Sequence, residues 1–235
     1  MSTAYFLLLG RLQDFLKREQ RGKRISVEFR GRQSIKHLAE SLGVPHTEIG
    51  RIQVNGQEAT LSTITQDADQ VEVFPISNEC PVEPRFLLDG HLGRLAAYLR
   101  MLGFDCLYEN DYDDEQLAEI AQREGRILLS RDRRLFMRTA VTYGYCLRSL
   151  DSLEQVEEVI ERFELRSRLA PFHRCLRCNH PLEPVAKEVV LDRLEPLTKL
   201  YFDDFQICPS CGQIYWKGSH YEKMQRLIEH ITENK

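Results

Sequence analysis

The alternation of apolar and amphipathic segments between residues 85 and 170 constrains the fold of this chain more than any other feature. The apolar segments, which we predict to be strands, are 85–89, 104–110, 126–130 and 145–149. The amphipathic segments, which we predict to be helices, are 91–103, 113–125, 131–140 and 152–163. Unbroken apolar strands that alternate with helices are typical of a parallel sheet covered on both faces. The sequence therefore predicts an α/β domain here.

Different patterns flank this domain on each side. Before it, a strand at 25–31, a helix from Ser34 to Gly43, a hairpin turning at Asn55-Gly56 and a strand at 70–76 predict a small α+β domain. After it, a segment with paired cysteines ends in a predicted helix at 221–232. We predict four regions: a first domain at 1–78, a linker at 79–84, the α/β domain at 85–170, and a last domain at 171–235.

Acidic residues fall at the predicted strand ends and helix starts. Asp89 closes the first apolar segment, Asp132 follows the third by two residues, and Asp114 opens the helix after the second. In an open parallel sheet, ligands bind beyond the carboxyl ends of the strands. Three carboxylates gathered there would hold a hard divalent cation. The alternative is structural, because an acid before a helix, such as Asp89, Asp113 or Asp132, is also a common N-cap.

Cationic and hydroxyl side chains near these acids suit the binding of a phosphodiester backbone. The candidates for this role are Arg94, Ser130, Arg131, Arg133 and Arg134. For Arg100, on the helix after Asp89, we expect a solvated or salt-bridged position. For His91 we expect local packing or capping.

Two cysteine pairs predict a metal site. Cys175-x-x-Cys178 and Cys208-x-x-Cys211 have the spacing at which two knuckles complete a tetrahedral Zn²⁺ shell with Zn–S bonds of ~2.3 Å. Four protein ligands leave no open position, so we expect this zinc to be structural. For Cys106 and Cys146, inside strand-like segments, we expect packed thiols.

Aromatic and cationic residues near the second pair suit single-stranded RNA. Trp216 is the ambiguous member, since the sequence is equally consistent with a stacking surface and with a place in the small core of a zinc ribbon. Tyr215 and Lys217 lie beside it.

Long segments of the chain resemble a known family. FLLDGHLGRLAAYLRMLGFDCLY and DDEQLAEIAQREGRILLSRDRRL resemble the Mut-seven C-terminal RNase family, a branch of the PIN-domain nucleases. RCLRCNHPLEPV and CPSCGQIYWKGSH are similar to the zinc-ribbon tail of that family, so the resemblance covers about 85–222. Residues 25–76 resemble the ubiquitin-like β-grasp module that precedes this RNase in some members.

The resemblance implies a PIN-like parallel sheet and hydrolysis of RNA with Mg²⁺ or Mn²⁺ held by Asp89, Asp114 and Asp132. A one-residue slip would put Asp113 in place of Asp114, and Asp111 or Glu115 are candidates for a fourth acid. SRD stands where family members often read TRD, which exchanges one hydroxyl for another.

These features predict an endonucleolytic ribonuclease acting on single-stranded or structured RNA, such as tRNA. A non-catalytic RNA-binding adaptor on a PIN fold and a DNA-directed nuclease are the alternatives. No apolar run approaches the ~20 residues of a membrane helix, and the start lacks the basic region of a signal peptide. We therefore expect a cytoplasmic protein without a membrane partner. We also expect a protein or RNA partner for residues 1–78.

Overall fold

The structure is a computed structural model that describes residues 1–80 and 82–233. Pro81, inside the predicted linker, lies outside the described residues. The chain forms two compact units, the first of Met1–Asn78 with Asp113–Leu147 and the second of Glu79–Tyr112 with Arg148–Lys235. The domain boundaries predicted from the sequence, after residues 78, 84 and 170, stay predictions.

The first unit contains a five-stranded sheet in the order β2-β1-β5-β3-β4. β1 pairs in parallel with β5, and the other neighbours are antiparallel. α1 (Ile35–Ser41) belongs to the same fold. The strands are β1 (Ser2–Leu8), β2 (Ile25–Phe29), β3 (Ile49–Val54), β4 (Gln57–Ala59) and β5 (Gln70–Pro75).

β1 is a correction to the sequence-based prediction, which placed no strand before residue 25. Its alternate side chains Ala4, Phe6 and Leu8 are buried in the core. Alternation at period two is what a half-buried strand requires, but Tyr5 and Leu7 fill the intervening positions with apolar residues and hide the pattern.

The helix cap and the hairpin turn predicted for this domain are confirmed. The Ser34 hydroxyl accepts a hydrogen bond from the His37 amide at 3.3 Å and so caps α1. Asn55 and Gly56, between β3 and β4, both have positive φ, +52° and +80°. A two-residue hairpin turn of type I′ requires positive φ at both positions.

The first unit also holds the second part of the predicted α/β domain. α3 (Asp114–Glu124) leads to β8 (Ile127–Ser130), which pairs in parallel with β9 (Gly144–Cys146). Gly125 ends α3 in the left-handed conformation, at φ +61°.

The helix predicted at 131–140 is wrong. Only a single 3-10 turn forms there, at Leu135–Met137. The Ser130 hydroxyl accepts from the Asp132 amide, and the Asp132 carboxylate accepts from the Arg134 amide, each at 2.9 Å. Such side-chain bonds compete with helical bonding of the same backbone.

The second unit contains the remaining elements of the α/β pattern. β6 (Arg85–Leu88) pairs in parallel with β7 (Asp105–Tyr108), and α2 (Gly93–Met101) and α4 (Ser152–Arg162) supply the helices. The predicted apolar face is buried as expected: Leu92, Leu95, Ala96, Leu99 and Leu102. Parallel strand pairs with helices confirm the α/β class.

The last part of the second unit is a small module with its own apolar core. β10 (Glu183–Val185), β11 (Phe205–Ile207) and β12 (Ile214–Trp216) form an antiparallel sheet. The helices are α5 (Lys187–Val190), α6 (Pro196–Tyr201) and α7 (Ser219–Glu233), of which α5 and α6 were not predicted. Its buried core consists of Val190, Leu194, Phe205 and Ile214. Throughout the described residues, no helix combines the length and apolarity needed to cross a bilayer.

Candidate functional site

The four paired cysteines converge, as predicted. Their sulfur atoms lie within 4.8 Å of one another. The Sγ atoms of Cys175 and Cys211 are 3.6 Å apart, and those of Cys178 and Cys208 are 3.4 Å apart. Tetrahedral Zn–S bonds of ~2.3 Å place sulfurs about 3.8 Å apart. The four cysteines therefore fit a zinc ion, which would hold this module together where its apolar core is small.

Both knuckles are built in the same way. The residue after the second cysteine of each pair has a left-handed backbone: Asn179 at φ +71° and Gly212 at φ +72°. In the first knuckle the Asn179 amide donates to the Cys175 carbonyl at 2.9 Å. In the second the Gly212 amide donates to the Cys208 carbonyl at 2.8 Å. Glycine and asparagine are the residues that most readily adopt this conformation, so the local sequence favours each knuckle.

The thiols differ in their readiness to ionise. Burial opposes ionisation of Cys175, but hydrogen bonds from the Tyr215 hydroxyl and nearby backbone amides outweigh it and lower its pKa to about 7. For Cys208, burial dominates and raises the pKa to about 12. Zinc binds thiolates, so metal binding has to displace the proton of Cys208.

Tyr215 belongs to this centre. Its hydroxyl accepts from the Leu176 amide at 3.0 Å and lies 3.2 Å from the Cys175 sulfur. Because the amide can only donate, the hydroxyl proton is available to the sulfur. Tyr215 therefore has a structural role, and its burial together with the nearby Cys175 thiolate raises its own pKa.

Arg100 fastens the first knuckle to β7, which corrects our expectation of a solvated or salt-bridged position. It is only 4% exposed. Its guanidinium donates to the Cys106 carbonyl at 2.8 and 3.0 Å, and to the carbonyls of Leu176 and Arg177 at 3.1 and 3.0 Å. Asn179 adds two bonds to the same strand, accepting from the Cys106 amide at 2.9 Å and donating to Asp105 at 2.8 Å.

Asp89 lies directly after β6, in the second unit. Within the 3-10 turn that follows, Gly90–Leu92, its side chain accepts no capping hydrogen bond. The carboxylate is 19% exposed and lies 3.3 Å from Nδ1 of His91. A role as a simple cap of that turn is therefore excluded.

The acids at the start of α3 divide their roles. Asp113 is the N-cap, because its carboxylate accepts from the amides of Glu115 and Gln116, both at 2.9 Å. Asp114 is the first helical residue, half-exposed, with a carboxylate oxygen 3.6 Å from the Arg138 guanidinium. This division favours Asp114 over Asp113 as a metal ligand. Arg138, which no pattern in the sequence singled out, would compete for the same carboxylate.

Asp132 sits on a turn fixed by its neighbours, in the same unit as Asp114. The turn is closed by the hydroxyl of Ser130, whose side chain is fully buried. One carboxylate oxygen of Asp132 accepts from the Arg134 amide. Burial and this bond give Ser130 a clear role in shaping the turn.

The candidate phosphate-binding arginines are exposed, and one has a structural partner. The guanidinium of Arg133 donates to the Phe15 carbonyl at 3.2 Å and lies 5.2 Å from the centre of the Phe15 ring. Arg94 lies in the first turn of α2, and Arg131 and Arg134 flank Asp132.

The five-stranded domain also contacts residues 141–146, which follow Asp132 in the same unit, at two places. The His46 ring bridges the Glu40 carboxylate and the Val141 carbonyl, at 2.9 and 3.1 Å. The buried carboxylate of Glu48 accepts from the Cys146 amide at 3.1 Å. Cys106 and Cys146 themselves are buried, as expected.

Comparison with known proteins matches both parts of the chain. Residues 84–228 match a family described as Mut7-C RNAse domain, and residues 1–80 match one described as Mut7-C ubiquitin. A Homo sapiens protein described as "Exonuclease mut-7 homolog" is 37% identical over 101 residues, which cover 40% of this chain and 12% of that protein. The chain thus spans a small part of that relative's length. No solved structure matches significantly.

Proposed function

Because the chain belongs to the Mut7-C RNase family, we propose that it is a metal-dependent ribonuclease that cleaves RNA internally. The family match over 84–228, which contains every acid of the candidate site, carries this proposal. The proposed ligands of Mg²⁺ or Mn²⁺ are Asp89, Asp114 and Asp132. Carboxylate oxygens are the ligands that these hard cations prefer. When bound, the cation would activate water and stabilise the charge on the leaving oxygen.

The local surroundings of the aspartates support these roles. Asp89 follows a buried strand and does not cap the next turn. Asp113 takes the capping role at α3, which leaves the neighbouring carboxylate of Asp114 for other partners. Asp132 is held on a turn whose backbone is fixed by Ser130. Rigid placement of ligands is what a catalytic metal site requires.

Arginines beside these acids would meet the negative charge of the RNA backbone. We propose Arg94, Arg131 and Arg134 for phosphate contacts, because all three are exposed. For Arg133 and Ser130 we propose that any phosphate contact is secondary to their structural bonds. The domain at 1–78 would position the Asp132 turn, through Phe15 and Glu48, and could recruit a protein or RNA partner.

The first experiment tests the aspartates. We expect Asp89→Asn and Asp132→Asn each to lower Mg²⁺- or Mn²⁺-dependent cleavage of RNA by more than about 100-fold, since loss of an outer-shell partner alone costs 10–100-fold. The matched control is Asp151→Asn. Asp151 caps α4 by accepting from the Leu153 and Glu154 amides, and asparagine caps equally well. Wild-type cleavage by both aspartate variants would refute the assignment.

The second experiment tests the mode of cleavage. A circular single-stranded RNA has no ends, so an exonuclease cannot start on it. We expect the protein to linearise the circle with the same metal dependence as it shows on a linear RNA of identical sequence. Degradation of the linear RNA alone would show an exonuclease, in line with the description of the human relative as an exonuclease.

A further inference from the structure

A pocket beside the cysteine cluster lies outside the proposed active site. It has a volume of about 650 Å³ and lies between the β10–β12 sheet and the start of α7. Pockets that hold small molecules are in the range of ~300–1,000 Å³. The aspartates proposed for catalysis do not line it.

Flat aromatic rings form much of its wall. Trp216 is 38% exposed, although its ring also packs against Phe205 with centroids 6.4 Å apart. Facing the same space, Phe172 and Tyr221 stack with ring centroids 4.3 Å apart and planes tilted by 32°. The core of this small module does not require an indole that solvent can reach, so packing alone does not explain the exposure of Trp216. Trp216 therefore packs against the core and is also partly exposed at the wall of the pocket.

Phe172, which lines this pocket, has a strained backbone. Its φ is +63°, which is a rare conformation for a bulky residue. Such outliers concentrate at ligand sites. Here the conformation is held by the bond from the Phe172 amide to the Met101 carbonyl at 3.0 Å.

In the wall of the pocket, positive charge exceeds negative charge once ion pairs are counted. Lys217 lies 6.0 Å from the Tyr221 ring centre. Arg174 donates to the carbonyls of Gly103 and Asn179, and no described carboxylate lies within ion-pair distance of it. Of the two acids in the wall, Asp203 is paired with Lys187 at 2.7 Å. The other is Asp204, which has no ion-pair partner among the described residues, so two cations face one carboxylate that no described cation pairs with.

We propose that this pocket binds an unpaired base of single-stranded RNA, with its phosphate near Lys217 and Arg174. This subsite rests on the proposed ribonuclease function and assigns its substrate class. Aromatic rings stack on any base, the cations attract the phosphate, and the Asp204 carboxylate accepts from amino or imino groups on a base edge. A base inside a duplex is stacked on its neighbours and cannot enter.

Trp216 is the single tryptophan of the sequence, so its fluorescence reports on the pocket directly. The probe is a ten-nucleotide oligoadenylate or oligouridylate, added to the zinc-loaded full chain carrying Asp132→Asn so that the RNA stays intact. We expect saturable quenching by the single strand and none by the pre-formed duplex at equal phosphate concentration. Equal quenching by both, or none by either, would overturn the proposal.

Variants test the same contact through the affinity of a labelled RNA. Trp216→Leu should weaken binding between about fivefold and about 150-fold, and Trp216→Phe should restore most of it, because stacking is retained. Lys217→Gln should reduce the salt dependence of binding by about 0.7 in log–log slope. Lys199→Gln is the control, since Lys199 lies on α6 in the same module but does not line the pocket.

Two further measurements separate a loss of folding from a loss of RNA binding, and the subsite proposal from the hydrolysis proposal. Zinc content of one ion per chain shows that each variant retains its module. Unchanged affinity in Trp216→Leu would overturn the subsite while leaving the hydrolysis proposal intact. Conversely, wild-type cleavage by both the Asp89→Asn and the Asp132→Asn chain would refute the hydrolysis proposal, while quenching measured without Mg²⁺ or Mn²⁺ would still test the subsite.

Discussion

Replacing Arg100 by methionine should destabilise the second unit and weaken zinc binding together. The side chain is buried and donates to three carbonyl oxygens, those of Cys106, Leu176 and Arg177. Methionine fills a similar volume but donates nothing. A buried polar group that loses its partner costs about 1–3 kcal/mol, so three carbonyls at the low end of that range give about 3 kcal/mol.

The assay is thermal and urea unfolding followed by circular dichroism, with zinc release measured by a chromogenic chelator. For a chain of this size about 3 kcal/mol corresponds to a fall in Tm of roughly 6–12 °C. Zinc affinity should fall about 10- to 100-fold, as is usual for residues that orient metal ligands. Arg100→Lys should recover only part of the loss, because an ammonium group cannot span the three carbonyls as the planar guanidinium does.

Arg94→Met is the matched control for stability, since Arg94 lies on the exposed face of the same helix. Its effect should stay within about 0.5 kcal/mol. Equal unfolding midpoints for the Arg100→Met and Arg94→Met proteins would refute the reasoning, because they would show that the buried bonds contribute no net stability.

Further predictions concern the zinc centre and two glycines with positive φ. Cys175→Ser should abolish binding of one zinc per chain, measured by elemental analysis, and a retained ion would contradict the site. The pKa of Cys175 is about 7, so this thiol loses its proton before zinc binds at pH 8 but only on zinc binding at pH 6. The number of protons released on zinc binding should therefore rise by about one from pH 8 to pH 6. Calorimetry in buffers of different ionisation enthalpy measures this number, and a constant value would argue against an ionised Cys175. Tyr215→Phe should weaken zinc binding about tenfold through loss of the bond to Cys175, and equal chelator-release rates would exclude that role. Gly103→Ala should destabilise the protein by about 2–5 kcal/mol, because φ is +99° and the new Cβ would overlap the Ala170 carbonyl. Gly125→Ala is the comparison: φ is +61° but the space around the new Cβ is open, so the cost should be about 1 kcal/mol. Equal denaturation midpoints for the two variants would contradict this difference.

Local patterns in the sequence were sufficient for several elements that depend only on neighbouring residues. The two C-x-x-C knuckles close through bonds within five residues, and the turn at Asn55-Gly56 needs only its own backbone preference. The apolar face of α2 and the cap at Ser34 were predictable for the same reason. Each of these elements follows from the spacing of its buried residues or from the chemistry of a short segment, and both can be read directly from the sequence.

Only the tertiary structure decided the roles that depend on distant residues. Arg100 reads as a surface arginine, yet its partners Leu176 and Arg177 are 76 and 77 residues away. Arg133 reads as a phosphate ligand beside Asp132, yet its guanidinium meets Phe15 across 118 residues. The same charge that favours water in an isolated helix favours burial once several carbonyls converge on it. That convergence is a property of packing between segments, which no pattern within either segment contains.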